Sequence, residues 1–201
     1  MWLDIFRRML NSVKINMLIS KIQKNGGEIK LEIGSGPVKG NNGWLTLDLS
    51  NQSDLYWNLL EPLPFPDNSI SVIYSSHVLE HFYYRDLMTL LKECFRVLKP
   101  DGLFDVCVPN ASIYIRAYLH PEYFDTAFLA YKPAVVSELK MDIVNYIAYM
   151  DGNHRFMFDQ ENLLRVLSSA GFVDICQRDF NPKLDKGERK HESIYALGVK
   201  P

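Results

Sequence analysis

Glu32-Ile33-Gly34-Ser35-Gly36 ends a short apolar run with an acid and two glycines. A strand that ends this way can turn sharply and bring main-chain N–H groups against a ligand. The carboxylate of Glu32 at the mouth of that turn favours a cationic ligand and repels a pyrophosphate. Asp48-Leu49 closes a second run, Leu45-Thr46-Leu47. A carboxylate there can accept two hydrogen bonds from a ribose diol; a turn aspartate is the competing role. Asp48 follows Gly36 by 12 residues, against the roughly 20 of the dinucleotide fingerprint. Asn58-Leu59 offers an amide oxygen that accepts a hydrogen bond. Ser75-Ser76-His77 ends a third run, and His77 can line a pocket, cap a turn or take a proton from a hydroxyl. His154, in His154-Arg155-Phe156-Met157-Phe158-Asp159, is a second candidate base. His77 and His81 are four apart, a spacing that can bind zinc. The sequence between them is Val-Leu-Glu, no third ligand is evident, and no metal is expected.

These residues need a frame. Strand patterns cover Ile29–Ile33, Trp44–Leu49, Ile70–Ser75, Leu103–Val108, Val173–Asp179 and Ser193–Val199. Helical patterns lie between several of them, notably Asp86–Leu98 and Gln160–Ala170, with Asp159 as cap and Gly171 as stop. Strands alternating with helices predict an α/β layered fold with a mostly parallel sheet. The last two strands are joined by the charged loop Asn181–Glu192, which favours an antiparallel pair at one edge. Between Gly36 and Trp44 the chain is too short and too rich in breakers for a crossover helix, so a tight loop is expected there. Residues 111–153 carry Tyr114, Tyr118, Tyr123, Phe124, Phe128, Tyr131, Tyr146 and Tyr149. They follow the fourth strand and read as a helical substrate cover, with plain core as the alternative.

Residues 1–26 read as an amphipathic helix. Trp2, Ile5, Phe6, Met9, Leu10, Val13 and Met17 follow helical spacing, with Arg7, Arg8, Asn11 and Lys14 on the other face. The expected role is packing against the sheet, with peripheral membrane contact as the competitor. No signal-peptide core or cleavage site is evident.

The 201 residues suit one domain, 1–201. A composition of 47% hydrophobic and 23% charged residues is that of an ordinary globular protein. A net charge of −2 gives no field that attracts nucleic acid. Cys94 and Cys107 sit among apolar residues and read as buried free thiols, which suits the cytoplasm. No apolar run approaches the ~20 residues needed to span a bilayer.

Taken in order, Glu32-x-Gly34-x-Gly36, Asp48, Leu63-Pro64-Phe65-Pro66-Asp67, His77-Val78-Leu79-Glu80-His81 and Leu98-Lys99-Pro100-Asp101-Gly102 resemble the class I S-adenosylmethionine-dependent methyltransferases, in particular the type 11-like group. The resemblance runs from about Ile29 to Lys200. It implies a Rossmann-like fold and S-adenosylmethionine as cofactor. It also implies cofactor contacts from Glu32, Gly34, Ser35 and Gly36 at the methionine end. Asp48 and Leu49 would meet the ribose, Asn58 and Leu59 the adenine, and Ser76 and His77 would complete the site. Asn58 departs from the family's usual Asp. His77 and His154 are the catalytic candidates. The motif for nucleobase or amide nitrogen is absent, which leaves a small-molecule, sugar or lipid-linked acceptor. Two rivals are a non-catalytic cofactor-binding subunit and an NAD-dependent oxidoreductase; Glu32 and the loop at Pro37 argue against the latter.

Overall fold

The computed structural model describes residues 27–41, 43–137 and 139–201, together with Val13, Ile15, Met17, Ile19 and Ser20. The remainder of the expected N-terminal helix lies outside the described residues.

In chain order the elements are β1 (Lys30–Ile33), β2 (Trp44–Asp48), β3 (Leu55–Tyr56), β4 (Ile70–Ser76), α1 (Tyr84–Val97) and β5 (Leu98–Pro109). They continue with α2 (Ala111–Leu119), α3 (Lys140–Tyr149), α4 (Gln160–Ser169), β6 (Val173–Gln177) and β7 (Ser193–Val199). The seven strands form one sheet in the order β3-β2-β1-β4-β5-β7-β6. The pairs from β3 to β5 are parallel; β7 runs antiparallel to both β5 and β6. The expected antiparallel pair is therefore at the edge, and the reversed strand is the inner one, β7. No helix separates β1 from β2, as the breaker-rich loop requires.

Leu31, Ile33, Leu47, Ile73, Phe104 and Val106 are almost wholly buried in the sheet. α1 covers them with Leu87, Leu90, Leu91, Cys94 and Val97, and α4 with Leu163, Val166 and Leu167. This spacing of three and four residues is that of a single apolar helix face. Asp159 caps α4 by accepting from the Asn162 N–H at 2.8 Å. Ile15 and Ile19 join the same core, whereas Val13 and Met17 are 53% and 70% exposed. The buried face of this segment is thus not the one that Val13 and Met17 mark; Ile15 and Ile19, also four apart, define it. The segment Lys99–Gly102 is an excursion within β5. Pairing with β4 jumps from Leu98 to Leu103, and Asp101 there adopts φ +61°.

A clasp fixes the Leu63–Asp67 segment. Arg96 of α1 donates to the carbonyls of Leu63 (2.9 Å) and Phe65 (3.0 Å) and to Asp67 (2.7 Å). Glu93 accepts from the Leu63 N–H at 2.8 Å. A second clasp holds the β6–β7 connection over the sheet. Arg178 pairs with Asp105 of β5 and with Asp185, and Tyr74 of β4 donates to Asp185 at 2.9 Å.

Residues 111–153 form a small layer of their own. α2 and α3 are joined by three 3-10 turns. Ala111, Tyr114, Ala117, Leu129, Ala134, Ile143, Tyr146 and Ile147 make a core separate from that of the sheet. The aromatics divide between the two expected roles. Tyr114 and Tyr146 are buried and stacked, with ring centroids 5.8 Å apart, whereas Tyr123 and Tyr149 face solvent.

Candidate active site

The parallel strands β1, β2, β4 and β5 end on Gly34, Leu49, His77 and Asn110 respectively, and the strand order reverses between β1 and β4. This switch point, at the carboxyl ends, is where open α/β sheets bind ligands. Two cavities lie there and share His77 and His81.

The first, about 380 Å³, is lined by Gly34, Gly36, Asp48, Leu49, Trp57, Asn58, Leu59, Leu60, His77, Val78, His81 and Phe82. Gly34 has φ +65°, and a Cβ on it would stand 2.4 Å from Val78 Cγ2, so both its backbone and its surroundings require glycine. Gly36 has φ +71° and open space where a Cβ would be. The Asp48 carboxylate accepts from the Gly36 N–H at 2.9 Å and from the Ser50 N–H at 2.8 Å. It shapes the glycine turn and still has lone pairs to spare, so its turn role does not exclude a ligand role. Asn58 Oδ1 accepts from the Leu60 N–H at 3.0 Å, which aligns its amide along the wall.

The second cavity, about 530 Å³, lies under the 111–153 layer. Its walls include His77, Glu80, His154, Tyr114, Tyr146, Arg189 and Glu192. His154 is brought in by a short stretch that crosses the Leu79–His81 turn, where the N–H groups of Arg155 and Phe156 both donate to the Glu80 carbonyl. The 187–192 segment closes the far side. Arg189 donates to the Ser76 carbonyl at 3.2 Å, and Tyr114 donates to Glu192 at 2.8 Å.

His77 directly follows β4 at φ +55°, a strained angle for a residue with a Cβ, with its N–H on the Cys107 carbonyl at 2.8 Å. Its Nε2 is 2.8 Å from Ser193 Oγ, and that hydroxyl donates its one proton to the Arg189 carbonyl. Nε2 of His77 must therefore carry the hydrogen, which leaves the lone pair on Nδ1. Burial, together with the nearby Arg189, holds His77 well below the usual histidine range, so the ring is neutral near pH 7. Burial also lowers His154, although its bond to the Ile147 carbonyl opposes this. Burial pushes the Glu80 carboxyl up to about 8.

Seven of the ten expected cofactor residues line the first cavity: Gly34, Gly36, Asp48, Leu49, Asn58, Leu59 and His77. Three do not. Glu32 sits on the opposite side of β1 from Leu31 and Ile33 and lines a separate cavity of about 110 Å³ with Thr46, Tyr74 and Lys183. Ser35 is buried and bonds the Gly36 carbonyl; Ser76 is buried and meets Arg189. Trp57, Phe82 and Glu80 also line the two cavities, and nothing in the sequence marks them for it. Trp57 and Phe82 carry no polar signal, and Glu80 lies between the two histidines of a motif read for its histidines.

Comparison with known proteins bears on the fold and on part of the chain. The profile of the family described as "Methyltransferase domain" matches residues 47–106. Over that part the chain is similar to S-adenosylmethionine-dependent methyltransferases. It is similar to a demethylmenaquinone methyltransferase of Corynebacterium kroppenstedtii, with 30% identity over 118 residues, 58% of this chain and 48% of that protein. It is also similar to a demethylmenaquinone methyltransferase of Geobacillus stearothermophilus, with 28% identity over 148 residues, 74% of this chain and 58% of that protein. The chain thus spans about half the length of these relatives. The fold matches a SAM-dependent methyltransferase from Archaeoglobus fulgidus with a TM-score of 0.53 at 15% identity, over 96% of this chain and 94% of that one. Among the described residues, no helix is long and apolar enough to cross a membrane.

Proposed function

We propose that this protein moves a methyl group from S-adenosylmethionine to a small-molecule acceptor, with His77 as the base where the acceptor carries a hydroxyl. The observation that supports this reading is the pair of adjoining cavities that share His77 and His81. The first suits the cofactor. Trp57, Leu59, Leu60 and Phe82 offer apolar walls for adenine, Asp48 offers a carboxylate for the ribose diol, and the open side of Gly36 leaves room for the methionine chain. S-adenosylmethionine supplies an electrophilic methyl on its sulfonium. The protein's contribution is mainly orientation, which can be worth ~7–11 kcal/mol. A neutral His77 with its lone pair on Nδ1 can take a proton, and residues of the 111–153 layer line the second cavity beside it.

The relatives are named for demethylmenaquinone, so a quinol ring is the first acceptor to assay, followed by sugar and lipid-linked hydroxyls. The test is calorimetry with S-adenosylhomocysteine and NAD, then transfer of labelled methyl to that panel. We expect micromolar binding of S-adenosylhomocysteine and none of NAD; the reverse would sink the reading. A binding-only role is the second reading, favoured by Asn58 with its oxygen already engaged by Leu60. Tight cofactor binding with no transfer to any acceptor would support it.

A further inference from the structure

We infer that Glu80, His81 and His154 form a site for a divalent first-row transition cation, zinc being the simplest probe, in the wall of the acceptor cavity. One ligand atom from each residue lies within 4.8 Å of the other two. The cation site itself does not rest on methyl transfer; what it would do to an acceptor rests on that reading.

Three observations carry the assignment. Glu80 is only 2% exposed, and its Oε2 has no hydrogen-bond partner. An unpartnered carboxylate oxygen in a protein interior costs several kcal/mol unless something meets it. Next, the two imidazoles are set as ligands are. His81 Nδ1 is 3.0 Å from the Asn153 carbonyl, and His154 Nδ1 is 2.8 Å from the Ile147 carbonyl. A carbonyl only accepts, so each Nδ1 carries the hydrogen and each Nε2 keeps its lone pair. Second-shell carbonyls fix the tautomer of metal-bound histidines in the same way. Last, His81 Nε2 lies 3.9 Å from Glu80 Oε1, and the two rings meet edge to face at 5.3 Å.

Two nitrogens and a carboxylate oxygen suit zinc and its neighbours and do not suit calcium or magnesium. Bonds of about 2.0–2.2 Å place neighbouring ligand atoms roughly 3–3.5 Å apart, so ligand atoms up to 4.8 Å apart close by as much as about 1.5 Å on loading. Glu80, His81 and His154 all line the second cavity. A cation held by three protein atoms therefore keeps its remaining positions toward that cavity, where it can take an acceptor oxygen and lower the pKa of its O–H.

The test is titration of chelator-stripped protein with zinc chloride by calorimetry, with circular dichroism and thermal melts to verify folding. We expect one zinc per chain with micromolar or tighter affinity. Glu80→Gln, which keeps the side-chain shape, and His81→Asn, at a half-exposed ring, should each weaken it at least tenfold. His120→Asn, remote from the site, should leave it unchanged. Folded wild-type protein that binds no zinc below roughly 100 μM would overturn the assignment. So would zinc binding that survives both Glu80→Gln and His81→Asn. S-adenosylhomocysteine titrated into the same wild-type sample keeps the two readings apart: binding of that ligand without zinc removes the metal site and leaves methyl transfer standing.

Discussion

Asp48 and His77 each hold a structural position, and substitutions can separate it from the chemical task proposed for them. Asp48 is held by two main-chain N–H groups in a partly exposed turn, where water can replace it. Asp48→Ala should therefore cost only about 1 kcal/mol of stability. It should cost ~1.5–3 kcal/mol of S-adenosylhomocysteine affinity, because charge-assisted bonds to the ribose are lost. Unchanged affinity with a collapsed melting temperature would make Asp48 a structural cap alone. At His77 the left-handed backbone, φ +55°, strains any residue with a Cβ. His77→Gly should thus be more stable than His77→Ala by about 1 kcal/mol in paired thermal melts. Both should lose the base, with turnover on a hydroxyl acceptor falling roughly 10²–10⁴-fold. Equal turnover in wild type and His77→Ala would remove His77 from the chemistry.

Among the elements, the segments that were legible are those whose signals are local. α4 is announced by Asp159 and Gly171, and the missing first crossover helix by its breakers, so both appear where the sequence expects them. The Leu63–Asp67 segment marks the family, but its physical role was not legible. Its partner, Arg96, lies 29 to 33 residues away on a helix. Arg96→Met should cost about 2 kcal/mol by urea unfolding, since five carbonyl or carboxylate bonds, two of them to Glu93, are lost at a half-exposed site. It should leave cofactor affinity within a factor of about three, because Arg96 touches neither cavity; a larger loss would tie the clasp to the site. The 111–153 layer was legible as aromatic and helical, yet not as two helices and three short turns. Pro121 and Pro133 interrupt any continuous period. Its small separate core predicts that it opens independently of the sheet. Amide exchange in α2 and α3 should be faster than in β5 and should slow when S-adenosylhomocysteine binds. Exchange as slow as that of β5 in the free protein would make it a fixed wall.

At the scale of the molecule, the sheet follows from runs of apolar residues punctuated by glycine, proline and aspartate, which is why six of its strands could be read directly. β3, only two residues long, is too short to show a period. The first cavity was legible because its residues follow successive strands. The second was not, because it joins Glu80 to His154 and Ser76 to Arg189 across long intervals of chain. The connection that delivers Arg189 is itself held by ion pairs, and this gives stability a predictable response to acid. Burial alone would raise the Asp185 carboxyl, but bonds from Arg178, the Asn181 N–H and Tyr74 outweigh it and leave it below its ordinary 3.8. A depressed carboxylate contributes stability that is present above the unfolded value and lost as pH falls through the folded one. Asp105 is shifted the other way, raised by burial against the pull of Arg178, so its contribution is lost as pH rises and cannot produce an acid loss. Unfolding midpoints in urea should therefore drop as pH falls below about 3.8 in the wild type. Asp185→Asn leaves Arg178 buried with half its partners. It should cost about 3–5 kcal/mol near pH 7 and flatten the acid limb, because the group that titrates is gone. An acid limb of unchanged slope in Asp185→Asn would assign the loss to other carboxylates, Glu93 on the Arg96 clasp first among them, since Arg96 holds it below its ordinary value as well.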